Sequence, residues 1–141
     1  MPPSIVALVV EDEALVRFEL AQTLQAEGYV TFEAADAAEA IAVLEAHTEI
    51  RVVFTDIQMP GTMDGLALSL YVRKRWPPTI IVVSSGQCSP QENQMASGAR
   101  FLSKPYIPQA LVTVLHDIRL QIGRPYRQRE ARSRRISSCS I

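Results

Sequence analysis

Asp56 closes the apolar run 50–55 and is followed at once by Ile57-Gln58-Met59-Pro60-Gly61, a segment that cannot continue a strand. An acidic side chain is thereby delivered to the lip of a buried strand. Three of the four other strand-like runs also end on residues able to do chemistry, at Glu11-Asp12, at Ser84-Ser85 and at Lys104. Carboxylates held close together repel one another and bind protons more tightly unless a cation is present. A hard divalent ion relieves that conflict. Carboxylate oxygens that leave room for water and phosphate oxygens suit Mg2+ better than zinc, which favours His or Cys. Lys104, followed by Pro105, adds a cationic donor that can pair with a carboxylate at rest and with a phosphoryl oxygen after transfer. The hydroxyl of Ser85 can donate to the same group, with Gly86 leaving space beside it. A carboxylate nucleophile, Mg2+, a lysine and a hydroxyl form a sufficient set for phosphoryl transfer, which needs mostly positioning and charge neutralisation.

The elements that must position these groups follow from periodicity. Short β-like runs alternate with helical stretches five times, which points to an α/β fold with a doubly wound parallel sheet. In such a sheet, residues just past the C-terminal ends of the strands meet on one edge, where ligands bind. The strands are expected at Ile5–Val10, Tyr29–Glu33, 50–55, Thr79–Ser84 and Ala99–Ser103. The first helix should bury Ala14, Phe18, Ala21 and Leu24 and stop at Gly28. Asp36 with Glu39 reads as a capping pair before a helix that buries Ala37, Ile41 and Leu44. Asp64 can cap a third helix carrying Leu66 and Leu70 and ending in the basic run Arg73-Lys74-Arg75. The stretch from Gly86 to Gly98 is polar and broken by Pro90, so a helix there is expected to be short or irregular. Pro108 opens a final helix with Leu111, Val114, Leu115, Ile118 and Ile122 on one stripe, stopping at Gly123.

A chain of 141 residues, 48% apolar and 21% charged, fits one globular domain. Its apolar runs are strand-sized, far short of the roughly 20 residues that span a bilayer. The N-terminus carries no secretory signal pattern, and the cytoplasm is the expected location. Cys88 and Cys139 lack CxxC spacing and nearby histidines, which supports neither a zinc site nor a disulfide framework. His47 and His116 read as structural or surface groups. Charge is divided unevenly: residues 1–118 hold 7 Lys/Arg against 14 Asp/Glu, and residues 119–141 hold 7 against 1. Residues 4–122 are read as the folded domain and 123–141 as a basic, flexible tail. Nucleic-acid binding by the tail would need a presenting fold or interleaved aromatics, and Tyr126 is its one aromatic residue, so a nucleic-acid partner is not expected.

Through VVEDE at 9–13, TDIQMPGTMDG at 55–65, SSG at 84–86 and KP at 104–105, the chain resembles the receiver domain of two-component response regulators. The resemblance covers about residues 4–122. It implies a flavodoxin-like five-stranded parallel sheet of order 2-1-3-4-5, with Asp56 as phosphoacceptor. It further implies Mg2+ held by Asp12 directly, by Glu11 through water, by Asp56 and by the backbone carbonyl of Gln58. Lys104 would bind the phosphoryl group, Ser85 would be the switch hydroxyl and Phe101 the aromatic that changes rotamer with it. Counting from Trp76-Pro77, with Gly86 in the small-residue place, favours Ser85, and Ser84 stays open as the alternative. The implied partners are a sensor histidine kinase or phosphotransfer protein and a downstream protein. The oligomeric state is left open.

Three departures bear on the resemblance. Glu11 stands where Asp is commoner, the loop 61–65 is one residue longer than usual, and the stretch from Ser85 to Lys104 is a few residues shorter. Taken alone, Asp56 reads as a turn or cap residue, Glu11 as a solvated acid at a helix start, Asp64 as a cap and Phe101 as core. Asp56 in register with Asp12 and Lys104 reads as a nucleophile. The leading expectation is a response regulator phosphorylated on Asp56 that autodephosphorylates, a phosphoacceptor rather than a conventional turnover enzyme. The alternative is a receiver-fold adaptor that signals without phosphorylation. A haloacid-dehalogenase-like phosphatase is set aside because position 58 is Gln rather than a second Asp.

Overall fold

Val, Ile and Leu dominate the central strands, as expected for a parallel sheet covered on both faces. In the computed structural model, which describes residues 4–86, 94–105 and 107–123, five strands form: β1 (Ile5–Val10), β2 (Tyr29–Ala34), β3 (Val52–Asp56), β4 (Ile80–Ser85) and β5 (Arg100–Ser103). All pair in parallel in the order β2-β1-β3-β4-β5, a flavodoxin-like doubly wound sheet. The four described helices are α1 (Ala14–Ala26), α2 (Ala37–Ala46), α3 (Gly65–Arg75) and α4 (Pro108–Ile122). The short or irregular helix expected between β4 and β5 falls largely on residues 87–93, outside the described residues.

Side chains alternate across each strand, so the sheet supports two cores. Val9, Phe54, Val82 and Leu102 pack with Leu20, Leu24, Leu111, Leu115 and Ile118 under α1 and α4. Leu8, Val53, Ile81 and Val83 pack with Ala40, Leu44, Leu68 and Val72 under α2 and α3. Residues 94–99 complete the second core through Met95, Ala96 and Ala99.

Local signals set the helix boundaries. The Asp36 carboxylate accepts the Glu39 amide at 2.8 Å, and Asp64 accepts the Ala67 amide at 2.9 Å. Pro108 opens α4 and Gly123 follows its end. Two helix faces differ from expectation. In α1 the buried residues are Leu20, Ala21 and Leu24, whereas Ala14 is exposed and Phe18 is 51% exposed. In α3 Leu68, Ser69 and Val72 are buried, Leu66 is half-buried and Leu70 is exposed. With leucines at 66, 68 and 70, two helical phases were open, and docking of Gly65 against β3 selects between them.

Candidate functional site

β3 ends on Asp56 beside the Ser84 position of β4, and β1 runs into Glu11, whose amide bonds the Ala34 carbonyl at 3.0 Å. Lys104 follows β5, its amide on the Ser85 carbonyl at 2.9 Å. The sheet therefore brings four charged side chains to one edge. Glu11, Asp12 and Asp56 each offer a carboxylate oxygen, all within 4.8 Å of one another. Glu11 and Asp56 are buried and Asp12 is exposed.

One lysine serves two of these carboxylates. Lys104 Nζ donates to Glu11 Oε1 at 2.7 Å and lies 3.2 Å from Asp56 Oδ1. The second contact is an ion pair without hydrogen-bond geometry, and Asp56 Oδ1 is a buried oxygen with no hydrogen bond. Burial pushes the Asp56 carboxyl pKa above its usual value against the Lys104 charge, and the Asp12 charge adds to the rise. Glu11 is also raised by burial, against the hydrogen bond from Lys104. For Lys104, burial works against the charged form, but the Glu11 hydrogen bond and the Asp56 charge outweigh it and hold the ammonium pKa high. Three carboxylates, two of them buried, with one lysine between them form an under-neutralised set of oxygen donors that fits a hard divalent cation and does not fit zinc.

Several residues that hold this arrangement were not singled out from sequence. Arg17 donates to the Glu11 carbonyl at 2.8 Å and pairs with Glu33, fixing the turn between β1 and α1. The Glu13 amide donates to Glu11 Oε2 at 3.1 Å, orienting that carboxylate. Gly65 begins α3 directly against the phosphoacceptor candidate: a Cβ there would stand 1.9 Å from the Asp56 carbonyl oxygen. Its amide bonds the Ile57 carbonyl at 2.9 Å, so only glycine allows α3 to start so close to β3. The spacing from Asp56 to the DG pair at 64–65 was the available signal, but it read as loop chemistry.

Ser84 and Ser85 take different surroundings. Ser84 lies in register with Asp56, and the Ser85 hydroxyl donates to Gln58 Oε1 at 3.0 Å. Phe101 is half-buried against the α2/α3 core. A groove beside the carboxylates is lined by Glu13, Val16, Glu19, Gly86, Lys104 and Pro105. Leu15 and Phe18 on α1 and Ile107 before α4 are exposed large apolar side chains.

The family described as the response regulator receiver domain matches residues 7–116. This chain belongs to that family. As a two-component response regulator receiver, it is 35% identical over 111 residues to the transcriptional regulatory protein PdtaR of Mycobacterium tuberculosis, covering 77% of this chain and 53% of PdtaR. Among solved structures, the receiver domain of NtrX from Brucella abortus is 34% identical with a TM-score of 0.68, covering 79% of this chain and 95% of that one. Chemotaxis protein CheY4 of Vibrio cholerae is 28% identical with a TM-score of 0.73, covering 82% and 98%. The chain spans about half the length of PdtaR and less of several other curated relatives.

Proposed function

We propose that this receiver takes a phosphoryl group on Asp56 from a sensor histidine kinase or phosphotransfer protein, with Mg2+ at the carboxylate cluster. The observation that carries the reading is the buried Asp56 carboxylate, 3.2 Å from Lys104 and clustered with Glu11 and Asp12. Glu11, Asp12, Asp56 and the Gln58 backbone carbonyl would hold the ion, which supplies neutralisation of phosphoryl charge. An Asp56 oxygen attacks the phosphorus of a phosphohistidine, the P–N bond breaks and the imidazole leaves with the electron pair, forming an acyl phosphate. Lys104 turns from its carboxylate partners to a phosphoryl oxygen, and a hydroxyl at the end of β4, from Ser85 or its neighbour Ser84, donates to another. Water later attacks the same phosphorus in line, breaking the P–O bond to Asp56 and releasing phosphate.

The groove lined by Val16, Gly86, Lys104 and Pro105, with the exposed Leu15 and Phe18 on the same helix as Val16, suits docking of the phosphodonor next to Asp56. Phosphorylation adds charge at the edge of the sheet and draws Lys104 and the β4 hydroxyl inward, with Phe101 following, which changes the surface offered to a downstream protein. Residues 4–122 would carry this function, the basic segment 123–141 lying outside it. The cytoplasm is the proposed location, and none of the described helices is long and apolar enough to cross a membrane. Incubation with acetyl phosphate and Mg2+ should add one phosphoryl mass in a hydroxylamine-labile linkage. The same mass gained by an Asp56→Asn variant would refute the assignment.

A further inference from the structure

Two serines stand side by side at the end of β4, and consecutive strand residues face opposite sides of the sheet. Val82 packs in the α1/α4 core and Val83 in the α2/α3 core. Ser84 therefore continues the Val82 face, in register with Asp56 on one neighbouring strand and Leu102 on the other. Ser85 continues the Val83 face, toward α3. There its hydroxyl donates to the side-chain oxygen of Gln58, two residues beyond Asp56 in the loop that leads to α3. Ser85 is 2% exposed, whereas Gln58 is exposed.

This contact continues a series of ties on the loop. The Ile57 amide bonds the Ser84 carbonyl at 2.9 Å, and the Ile57 carbonyl accepts the Gly65 amide at 2.9 Å. Residue 57 is thus pinned from both sides by backbone, and the Ser85 hydroxyl extends the anchoring to residue 58. We propose that Ser85 is a positioning residue: with Gln58 it forms a clip between the end of β4 and the β3–α3 loop, holding the Gln58 backbone where its carbonyl completes the Mg2+ ligand set. Ser84, beside Asp56, is then the hydroxyl that meets the phosphoryl group. The inference rests on the phosphoacceptor reading above and gives separate roles to Ser85 and Ser84, which the sequence offered as alternatives for one role.

Mg2+ titration of the whole chain by calorimetry, with no phosphodonor present, tests the clip. Ser85→Ala should weaken Mg2+ binding about fivefold, the equivalent of one net hydrogen bond of ~1 kcal/mol. Gln58→Ala, at an exposed position that tolerates truncation, should weaken it by a similar factor, and the double variant should be no weaker than either single one. Ser84→Ala should instead shorten retention of the phosphoryl mimic beryllofluoride. Unchanged Mg2+ affinity in Gln58→Ala, or multiplied losses in the double variant, would overturn the clip. Loss of beryllofluoride binding in Ser85→Ala with Mg2+ affinity intact would give Ser85 the phosphoryl role and overturn it too. A wild-type chain that binds no Mg2+ would instead remove the phosphoacceptor reading and the clip with it, an outcome distinct from failure of the clip alone.

Discussion

The two edges of the sheet treat buried polar groups in opposite ways. At the N-terminal edge, Tyr29 is buried with its hydroxyl on the Leu115 carbonyl at 2.8 Å, and burial pushes its pKa up to about 12, so it stays neutral. Arg73, near the same edge, donates to the carbonyls of Pro77, Thr79 and Ser97, tying the end of α3 to the start of β4 and to residues 94–99. At the C-terminal edge, three carboxylates cluster and two of them, Glu11 and Asp56, share the charge of Lys104, while Asp56 Oδ1 is buried without a hydrogen bond. The first edge uses polar groups as braces. The second leaves charge incompletely matched, which costs stability in the metal-free chain and, under the proposed function, is the mismatch that a cation and a phosphoryl group would relieve.

Variants at the two edges should separate these roles. The largest loss is expected for Gly65→Ala, because the new Cβ overlaps the Asp56 carbonyl and forces α3 off β3. Chemical denaturation should show a cost of about 3 kcal/mol, and a neutral result would break the link between α3 docking and the site. Arg73→Ala removes a brace and should cost about 2 kcal/mol while leaving Mg2+ affinity within twofold. A large change in Mg2+ affinity there would mean that the two edges are coupled rather than separate.

The charged edge should respond with the opposite sign. Asp56→Asn is expected to stabilise the metal-free chain by about 1 kcal/mol near neutral pH, because it removes a buried charge without changing shape. Destabilisation would mean that the Lys104 pairing outweighs burial. A smaller effect concerns pH. The folded-state pKa values of Asp56 and Glu11 are raised, chiefly by burial, so the folded chain binds their protons more tightly than the unfolded chain. Stability from that preference is present at low pH and is lost as pH rises through the raised values. Metal-free protein should therefore gain stability as pH falls from neutrality toward the ordinary carboxylate value, and Asp56→Asn should flatten that slope. Lys104 also has a raised pKa; its contribution is complete below the unfolded lysine value and is lost only as pH climbs past the folded one, outside this window.

Much of this contrast was legible in the sequence. Apolar strand runs followed by Glu11-Asp12, Asp56 and Lys104 announced both the sheet and the edge at which these side chains meet, because a parallel sheet leaves little choice about where strand ends go. Asp36, Asp64 and Pro108 marked helix starts through local chemistry, and local chemistry is what a sequence displays best. Phe18 misled because an apolar residue at helical spacing reads as core, yet helix phase is decided by the partner surface, which buries Leu20 and Leu24 instead. The bond between Ser85 and Gln58 joins residues 27 positions apart through one hydroxyl, and no periodicity reports such a contact. Arg73 looked like an ordinary basic residue at a helix C-terminus, and its three carbonyl partners became visible only in three dimensions.

The central claim is that the under-neutralised carboxylate at the end of β3 is the one that accepts a phosphoryl group. Treating the chain with acetyl phosphate and Mg2+, reducing the acyl phosphate with borohydride and sequencing the peptides by mass spectrometry reads this out directly. The account predicts homoserine at position 56, dependent on Mg2+, with Asp12 and Glu11 unmodified. Reduction product at Asp12 or Glu11, or none at Asp56 in a chain that does bind Mg2+, would contradict it.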